Sequence, residues 1–329
     1  MHNTNQDFRF YDNSGNAIGV VIPSLFHSLV DGHTVINGPA GAYQINEQTV
    51  VALEQGLHQA AALVPGAADE VDTVCNLLKN PVTSRTTSFL LCKAKSCADL
   101  INDTAAIKSS KVLVIGCGGI GSSVALLLAG AGVEHLTLVD PDIIESSNLN
   151  RQLFWRKNDI GNTKVATLQR EINDRFDNIK IQSLELEMNY DDIVELVNTG
   201  CFSAIAITAD NPPTLVSRAS DLAVTAGIPV VSGGYLHSHC IANFFSGKDR
   251  QHSTLSPDSS THWLRLPQSI MPSFGPLNFN IAALMASGII TSIASNLFGE
   301  QRSHYIEWDA AQWPLGYTTR YFDDNEAGV

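Results

Sequence analysis

Positive charge is scarce in this sequence: 20 lysines and arginines face 33 aspartates and glutamates, leaving a formal net charge of -13 over 329 residues. Affinity for phosphate backbones is assembled largely from Lys and Arg, so this balance speaks against nucleic acid as a partner. Cysteine is also sparse. The six cysteines, at 75, 92, 97, 117, 201 and 240, form no CxxC pair and no short-loop framework. That is the usage of free thiols in a reducing cytoplasm, not of a disulfide scaffold. The opening stretch MHNTNQDFRFYDNSG has no basic start followed by an apolar run, so no secretory signal is read there and a cytoplasmic location is expected. An unbroken apolar span is missing too. Residues 281–298 have the length of one but are interrupted by Ser287, Thr291, Ser292, Ser295 and Asn296. A buried or dimer-facing helix is expected there, and no membrane partner.

Hydrophobic residues make up 44% and charged residues 16% of the chain, enough for one large core and a smaller companion. Three regions are expected: 1–80, 81–110 and 111–329. In the first, residues 7–46 alternate short apolar runs with turn chemistry at residues 12–16, at Asp31-Gly32 and at Asn37-Gly38-Pro39, which predicts two or three short strands. Asn46 is the expected cap of a helix through Val50, Val51, Leu53 and Leu57, and a second helix is expected over 68–78. Residues 81–110 read as a linker and a helix bearing Arg85. From Lys111 onward strand and helix alternate: KVLVIG, a helix over 119–131, HLTLVD, a helix over 164–176, then strands over 179–186, 203–208 and 228–232. This order predicts an α/β, Rossmann-like, mostly parallel sheet with helices on both faces. In the final third, HCIANFF, HYIEWDA and YTTRYF predict an antiparallel extension.

Gly116-Cys117-Gly118-Gly119-Ile120-Gly121 stands between the first of these strands and its helix. Missing side chains let a phosphate reach backbone N–H groups at the positive end of a helix, which makes Gly116, Gly118, Gly119 and Gly121 candidate nucleotide-binding residues. Asp140 closes the next strand, where a carboxylate can hold ribose hydroxyls. Taken alone, this pair suits NAD as well as ATP, and glycines also serve close helix packing.

The segment after the second strand separates these readings. The run Asp140-Pro141-Asp142-Ile143-Ile144-Glu145-Ser146-Ser147-Asn148-Leu149-Asn150-Arg151-Gln152 closely resembles the DxDxxxxSNLxRQ segment of the MoeB/ThiF and ubiquitin-activating adenylating family. Hydride transfer has no evident need for so polar and cationic a segment. Gly161-Asn162-Thr163-Lys164 matches the family's GxxK, and Thr208-Ala209-Asp210-Asn211 its TDN segment, in the same order and spacing. The resemblance covers about residues 85–300 and implies ATP-dependent adenylation of a carboxylate, with AMP and pyrophosphate released. It implies Arg151 and Lys164 as the cations that meet phosphate charge, Asn148 and Gln152 as groups orienting the phosphates, and Asp140 on the ribose with Asp142 beside it. Asp210 becomes the ligand of the Mg²⁺ that accompanies ATP. Ser84-Arg85 stands where relatives carry an arginine that enters the partner's site, which implies a homodimer.

Several features depart from that pattern. Most relatives resembling MoeB carry two CxxC pairs for a structural zinc, and none is present here, so no structural zinc is expected. His237, His239, Cys240, His252 and His262 are the remaining metal-type residues, but HSHC on a strand would point alternate residues to opposite faces. Cys201 and Cys240 lie in strand-like surroundings and are expected to be buried and inert, and Cys117 is explained by its size. The activated group is then expected to be attacked directly by a group on the substrate. Residues 245–275, rich in Ser, Pro and His, read as a crossover loop over the substrate.

At the N-terminus, strands followed by two helices, together with YQINEQTVVALEQGL, resemble the winged-helix-like, PqqD-like α+β module that recognises peptides. With the missing zinc knuckle, this makes the chain most similar to the peptide-tailoring branch of the family, which includes MccB-like and PaaA-like enzymes. That branch implies a ribosomally made precursor peptide as partner. The PaaA-like variant implies activation of glutamate side chains and condensation into a ring, the MccB-like variant modification of a peptide C-terminus. Adenylation of a sulfur-carrier C-terminus, as in MoeB and ThiF, and an NAD-dependent dehydrogenase are the alternatives.

Overall fold

A computed structural model describes residues 7–209, 214–248 and 272–322. Two compact units are present, one formed by Met1–Ala106 with Ala294–Gly299 and the other by Ile107–Ile293 with Glu300–Val329.

The first unit opens with five short strands, β1 (Arg9–Tyr11), β2 (Ala17–Val21), β3 (Phe26–Val30), β4 (His33–Gly38) and β5 (Gly41–Ile45). Five are found where two or three were expected, and a turn at Pro23-Ser24 accounts for one of the added divisions. The β3–β4 hairpin closes through Asp31 and Gly32, both at positive φ, the two-residue loop whose twist matches that of the strands. Helix α1 (Val50–Gln59) is capped by Thr49, whose hydroxyl accepts from Ala52 N at 3.1 Å. Asn46 is not the cap; its side chain is occupied by Gln44 Nε2 at 2.9 Å. Strand β6 (Leu63–Pro65) then returns to pair antiparallel with β2, giving the sheet order β1-β2-β6, while β3-β4-β5 form a separate meander. Three helices come next, α2 (Ala68–Lys79), α3 (Ser84–Leu91) and α4 (Cys97–Ser109). Within this unit the buried carboxylate of Asp103 accepts from Asn296 Nδ2 at 2.6 Å and Leu297 N at 2.8 Å, tying the helical turn Ser295–Phe298 to α4.

The second unit is the α/β sheet read from the alternation of elements. Its strands are β7 (Lys111–Ile115), β8 (His135–Val139), β9 (Lys180–Leu184), β10 (Ala204–Ile207), β11 (Val230–Leu236), β12 (His239–Phe245), β13 (His304–Asp309) and β14 (Thr318–Tyr321). They lie in the order β14-β13-β12-β11-β10-β7-β8-β9. From β11 to β9 all neighbours are parallel, and β12, β13 and β14 add antiparallel, as the final third of the sequence suggested.

Its helices are α5 (Gly121–Ala131), α6 (Lys164–Asn173), α7 (Tyr190–Gly200), α8 (Thr214–Ser217), α9 (Ala219–Ala226) and α10 (Gly275–Ile293). Alternation along β7 serves both faces. Leu113 and Ile115 pack with Ile193 and Val197 of α7 and Leu222 and Ala223 of α9, while α5 and α10 meet each other and the sheet on the opposite side. Helix α10 is long and apolar enough to cross a membrane by length and composition. Its stripe of Ile281, Met285 and Ile289 is buried, and a side chain at Gly233 of β11 would come 2.7 Å from Ile281 Cγ2, a close approach only glycine permits.

Asp103→Ala leaves the Asn296 amide and the Leu297 N–H without their charged acceptor. It is expected to lower unfolding stability by about 3 kcal/mol in urea titration, and an unchanged midpoint would show that the tie is dispensable.

Candidate active site

The parallel strands β7, β8 and β10 end on one edge of the sheet, and the motif residues gather there. A cleft open to solvent is lined by Gly116, Gly118, Val139, Asp140, Asp142, Lys164 and Ala209, with Leu186, Glu187, Met188 and Leu215 around them. Gly116 carries φ +86°, and an added Cβ there would meet the Ala209 backbone at 2.6 Å. At Gly121 the same atom would run into the Gly116 carbonyl and the Thr208 hydroxyl. Thr208 Oγ1 itself donates to the Gly116 carbonyl at 2.7 Å. Gly116 and Gly121 therefore let strand, turn and helix close on one another. Gly118 differs, since a Cβ there has only Gln152 Nε2 nearby, at 3.8 Å, and the open cleft beyond.

Asp140 is 4% exposed and uses both carboxylate oxygens. Oδ2 accepts from Cys117 N at 2.6 Å, inside the glycine turn, and Oδ1 accepts from Asp142 N at 2.9 Å. Lys164 Nζ stands 3.6 Å from Asp140 Oδ1 and 2.6 Å from Asp142 Oδ2. The backbone locks this arrangement: Lys164 N donates to the Asp142 carbonyl at 3.0 Å and Ile144 N to the Asn162 carbonyl at 2.9 Å, so the DxD and GxxK segments are stitched together. A buried lysine as the first residue of a helix opposes the helix dipole, a placement that costs stability and needs the two carboxylates to offset it.

The SNLxRQ segment folds against the outer side of the same turn. An added Cβ on Gly119 would lie 3.5 Å from the Arg151 carbonyl. Asn148, buried, accepts from Glu145 N at 3.1 Å and so shapes the turn it stands in. Gln152, also buried, accepts from Trp155 Nε1 at 2.6 Å, which turns its amide nitrogen toward Gly118. Arg151 keeps its guanidinium local, donating to the Ser147 carbonyl at 2.6 Å and Asn150 Oδ1 at 3.0 Å. Asp210 and Asn211 lie outside the described residues, as do His252 and His262. Arg85 belongs to the other unit, where it is exposed in the first turn of α3.

Two expectations about side chains need correction. Cys201 is neither in a strand nor buried; it is exposed at φ +50°, where α7 ends in a left-handed cap. HSHC does not run along one strand, because His237 and Ser238 form the turn between β11 and β12, with Leu236 paired to His239. Among the described residues no group of His, Cys, Asp and Glu gathers as a metal site. Cys240 is buried as expected and Cys117 is buried too, and burial pushes both thiols above the usual range, away from the nucleophilic thiolate. Of the cleft lining, Leu186, Glu187, Met188 and Leu215 were not legible as site residues, since they belong to no spaced motif and stand in the loop after β9 and in α8.

A glycine turn braced by the carboxylate that closes the next strand, beside a buried lysine at the C-terminal edge of a parallel sheet, is the arrangement of a nucleotide-binding α/β protein. The ThiF family model matches residues 98–313, and the chain belongs to that family. Among curated proteins it is 35% identical over 128 residues to the adenylyltransferase and sulfurtransferase MOCS3 of Dictyostelium discoideum, covering 39% of this chain. The match spans only 27–29% of the length of such relatives. Among solved structures, E. coli MccB with ATP superposes with a TM-score of 0.69 at 18% identity, covering 93% of this chain and 96% of that one. PaaA superposes with a TM-score of 0.62 at 18% identity, over 91% and 98% of the two chains. These likenesses agree with the fold and family that the four motifs implied.

The two kinds of glycine separate experimentally. Gly121→Ala forces a methyl into backbone and is expected to cost about 2 kcal/mol or more of stability. Gly118→Ala is expected to keep the wild-type melting temperature and lose ATP affinity, measured by calorimetry. Equal stability loss in both variants would remove the distinction.

Proposed function

We propose that this chain is an ATP-dependent adenylating enzyme acting on a carboxylate of a ribosomally made precursor peptide. The observation that carries the reading is the convergence in one cleft of the glycine turn, Asp140 and Lys164, with Arg151 and Gln152 folded against the same turn. In the proposed reaction a carboxylate oxygen bonds to the α-phosphorus of ATP. The bond from that phosphorus to the bridging oxygen breaks, and pyrophosphate leaves with the electron pair. Charge grows on the phosphates as this happens. Backbone N–H groups of the glycine turn that leads into α5 meet that charge in this reading, and Asp140 orients the ribose. Lys164, 7% exposed, is held close by Asp142 and meets the phosphates by sharing or exchanging that partner. Mg²⁺ bound with ATP supplies further charge neutralisation, and the TDN motif assigns its ligation to Asp210.

The peptide part of the reading rests on the first unit, with residues 1–80 as a peptide-recognition module, 81–110 as the linking segment and 111–329 as the adenylation domain. Strand β3 is an edge of its sheet, and Phe26 and Leu29 on it are 72% and 73% exposed. An extended peptide can add to such an edge through backbone hydrogen bonds, with Phe26 and Val30 exposed on one face of the strand and Leu29 on the other to meet its side chains. Activation of glutamate side chains followed by ring closure is the favoured outcome, with modification of a peptide C-terminus next. A second reading, activation of the C-terminus of a sulfur-carrier protein, is favoured by the curated relatives, which are adenylyltransferases and sulfurtransferases. The absence of CxxC pairs counts against it. Six free cysteines support a cytoplasmic setting.

Incubation of candidate peptides with enzyme, ATP and Mg²⁺ is expected to give AMP and pyrophosphate, with the peptide mass change identifying the acceptor; Asp210→Asn gives neither. ADP as the sole nucleotide product would sink the reading. The proposed assembly is a homodimer in which Arg85 completes the partner's site, its guanidinium offering paired donors to phosphate. Mixing inactive Arg85→Ala with inactive Lys164→Ala is then expected to restore part of the activity, because one site of the mixed dimer carries neither change. No recovery after subunit exchange would place Arg85 in its own chain's site or outside any site.

A further inference from the structure

Opposite the nucleotide cleft, the glycine turn is flanked by a polar group that belongs to none of the sequence motifs. Helix α10 begins at Gly275, where an added Cβ would come 3.6 Å from Arg151 Cα and from the Asn150 carbonyl, so the start of this 19-residue helix abuts the Arg151 segment. One turn in, Asn278 is 3% exposed, and its Nδ2 occupies the space that a side chain on Gly119 would take. Behind this amide stands Tyr235. Phe274 N–H can only donate, and it donates to Tyr235 Oη at 2.7 Å. The tyrosine proton therefore points elsewhere, to Asn278 Oδ1 at 3.0 Å or Ser273 Oγ at 3.2 Å. With Oδ1 facing the tyrosine, Nδ2 faces the glycine turn, and it has no acceptor among the described residues. A nearly buried amide with a donor free of protein partners is available to a ligand that supplies the acceptor in place of water.

We propose that Asn278 Nδ2 binds the substrate carboxylate and then the acyl oxygen of the adenylate, at a subsite formed by Gly119, Arg151 and the first turn of α10. Three observations select this ligand. The nucleoside side of the turn is the cleft lined by Gly116, Gly118 and Asp140, and Asn278 is not among its walls. A group held by Asn278 thus lies outside that cleft, on the side of the turn that this reading leaves to the acyl group. The α10 N-terminus favours an anion there. The donor is also neutral. A full cation would tie up the lone pairs of the attacking carboxylate, whereas an amide orients it, and the bond persists when the carboxylate becomes a neutral acyl group. Tyr235 acts as a positioning residue, since it holds the amide without facing the turn.

The inference rests on the adenylation reading, and calorimetry with three probes keeps the two apart: AMP, the non-hydrolysable ATP analogue AMPCPP, and 5′-O-(N-acetylsulfamoyl)adenosine, which adds an acyl oxygen to the adenylate frame. Asn278→Asp keeps the bond from Tyr235 and removes the donor. It is expected to weaken the acyl probe about tenfold or more and to leave AMP and AMPCPP within about twofold. Tyr235→Phe is expected to weaken the acyl probe by a smaller factor with the same selectivity, so the result stands if one variant proves unstable by thermal melting. Loss of affinity for AMPCPP alone would assign Asn278 to the leaving pyrophosphate and overturn the proposal. Equal loss for all three probes would make it a structural residue, and no change for any would leave it without a ligand role. Wild-type protein that binds none of the probes would overturn the adenylation reading itself, whereas wild type that binds all three with selectivity unaffected in both variants would overturn only the role of Asn278.

Discussion

The buried carboxylate of Asp140 holds the cleft edge of the sheet together. A charge taken out of water must be paired or hydrogen-bonded, and Asp140 meets that demand by drawing three segments to itself: the glycine turn through Cys117 N–H, its own loop through Asp142 N–H, and the start of α6 through Lys164. Cys117 comes from the turn after β7, while Asp142 and Lys164 stand at either end of the long loop between β8 and α6. The pairing therefore sets the mutual position of the phosphate turn and the lysine before any ligand arrives. Lys164 stands at a helix end where its charge is unwelcome, and the two aspartates keep it there.

Close approach supplies the second constraint. Gly121 lets α5 begin directly against the Gly116 carbonyl and Thr208, and Gly233 lets α10 settle on β11 through Ile281 and Met285. Because α10 is drawn down in this way, its first turn arrives beside Arg151, and Asn278 reaches the outer side of the phosphate turn. The antiparallel extension contributes here as well, for Tyr235 lies on the part of β11 that pairs with β12 rather than β10. One sheet thus carries a nucleotide edge built from parallel strands and a supporting wall built where the pairing changes direction.

Much of the second unit was legible in the order of residues, and the reasons are local. KVLVIG and HLTLVD are short apolar runs that only a strand buried on both faces explains, and they form β7 and β8. The motif spacings were readable because each segment spans one connection of the sheet. Where local chemistry offers two solutions, pattern alone does not choose between them. Thr49 and Asn46 are both good caps, and the helix starts after Thr49 because Asn46 is already bonded to Gln44. Cys201 comes after Gly200 and precedes a strand, but the left-handed end of α7 turns it outward. HSHC looks continuous in sequence, yet the hairpin turn falls inside it.

The sequence alone determined the alternation of strands and helices, the glycine turn and the identity of the charged motif residues, since these depend on periodicity and spacing along the chain. Tertiary structure decided which atoms those residues touch. Lys164 is paired with Asp142 rather than left open, Arg151 is bonded within its own loop, and Asn278, more than a hundred residues beyond the motif it adjoins, becomes a neighbour of Gly119. The physical reason is that buried polar groups choose partners by proximity across packed elements. That proximity is created by sheet order and helix packing, which no local pattern encodes.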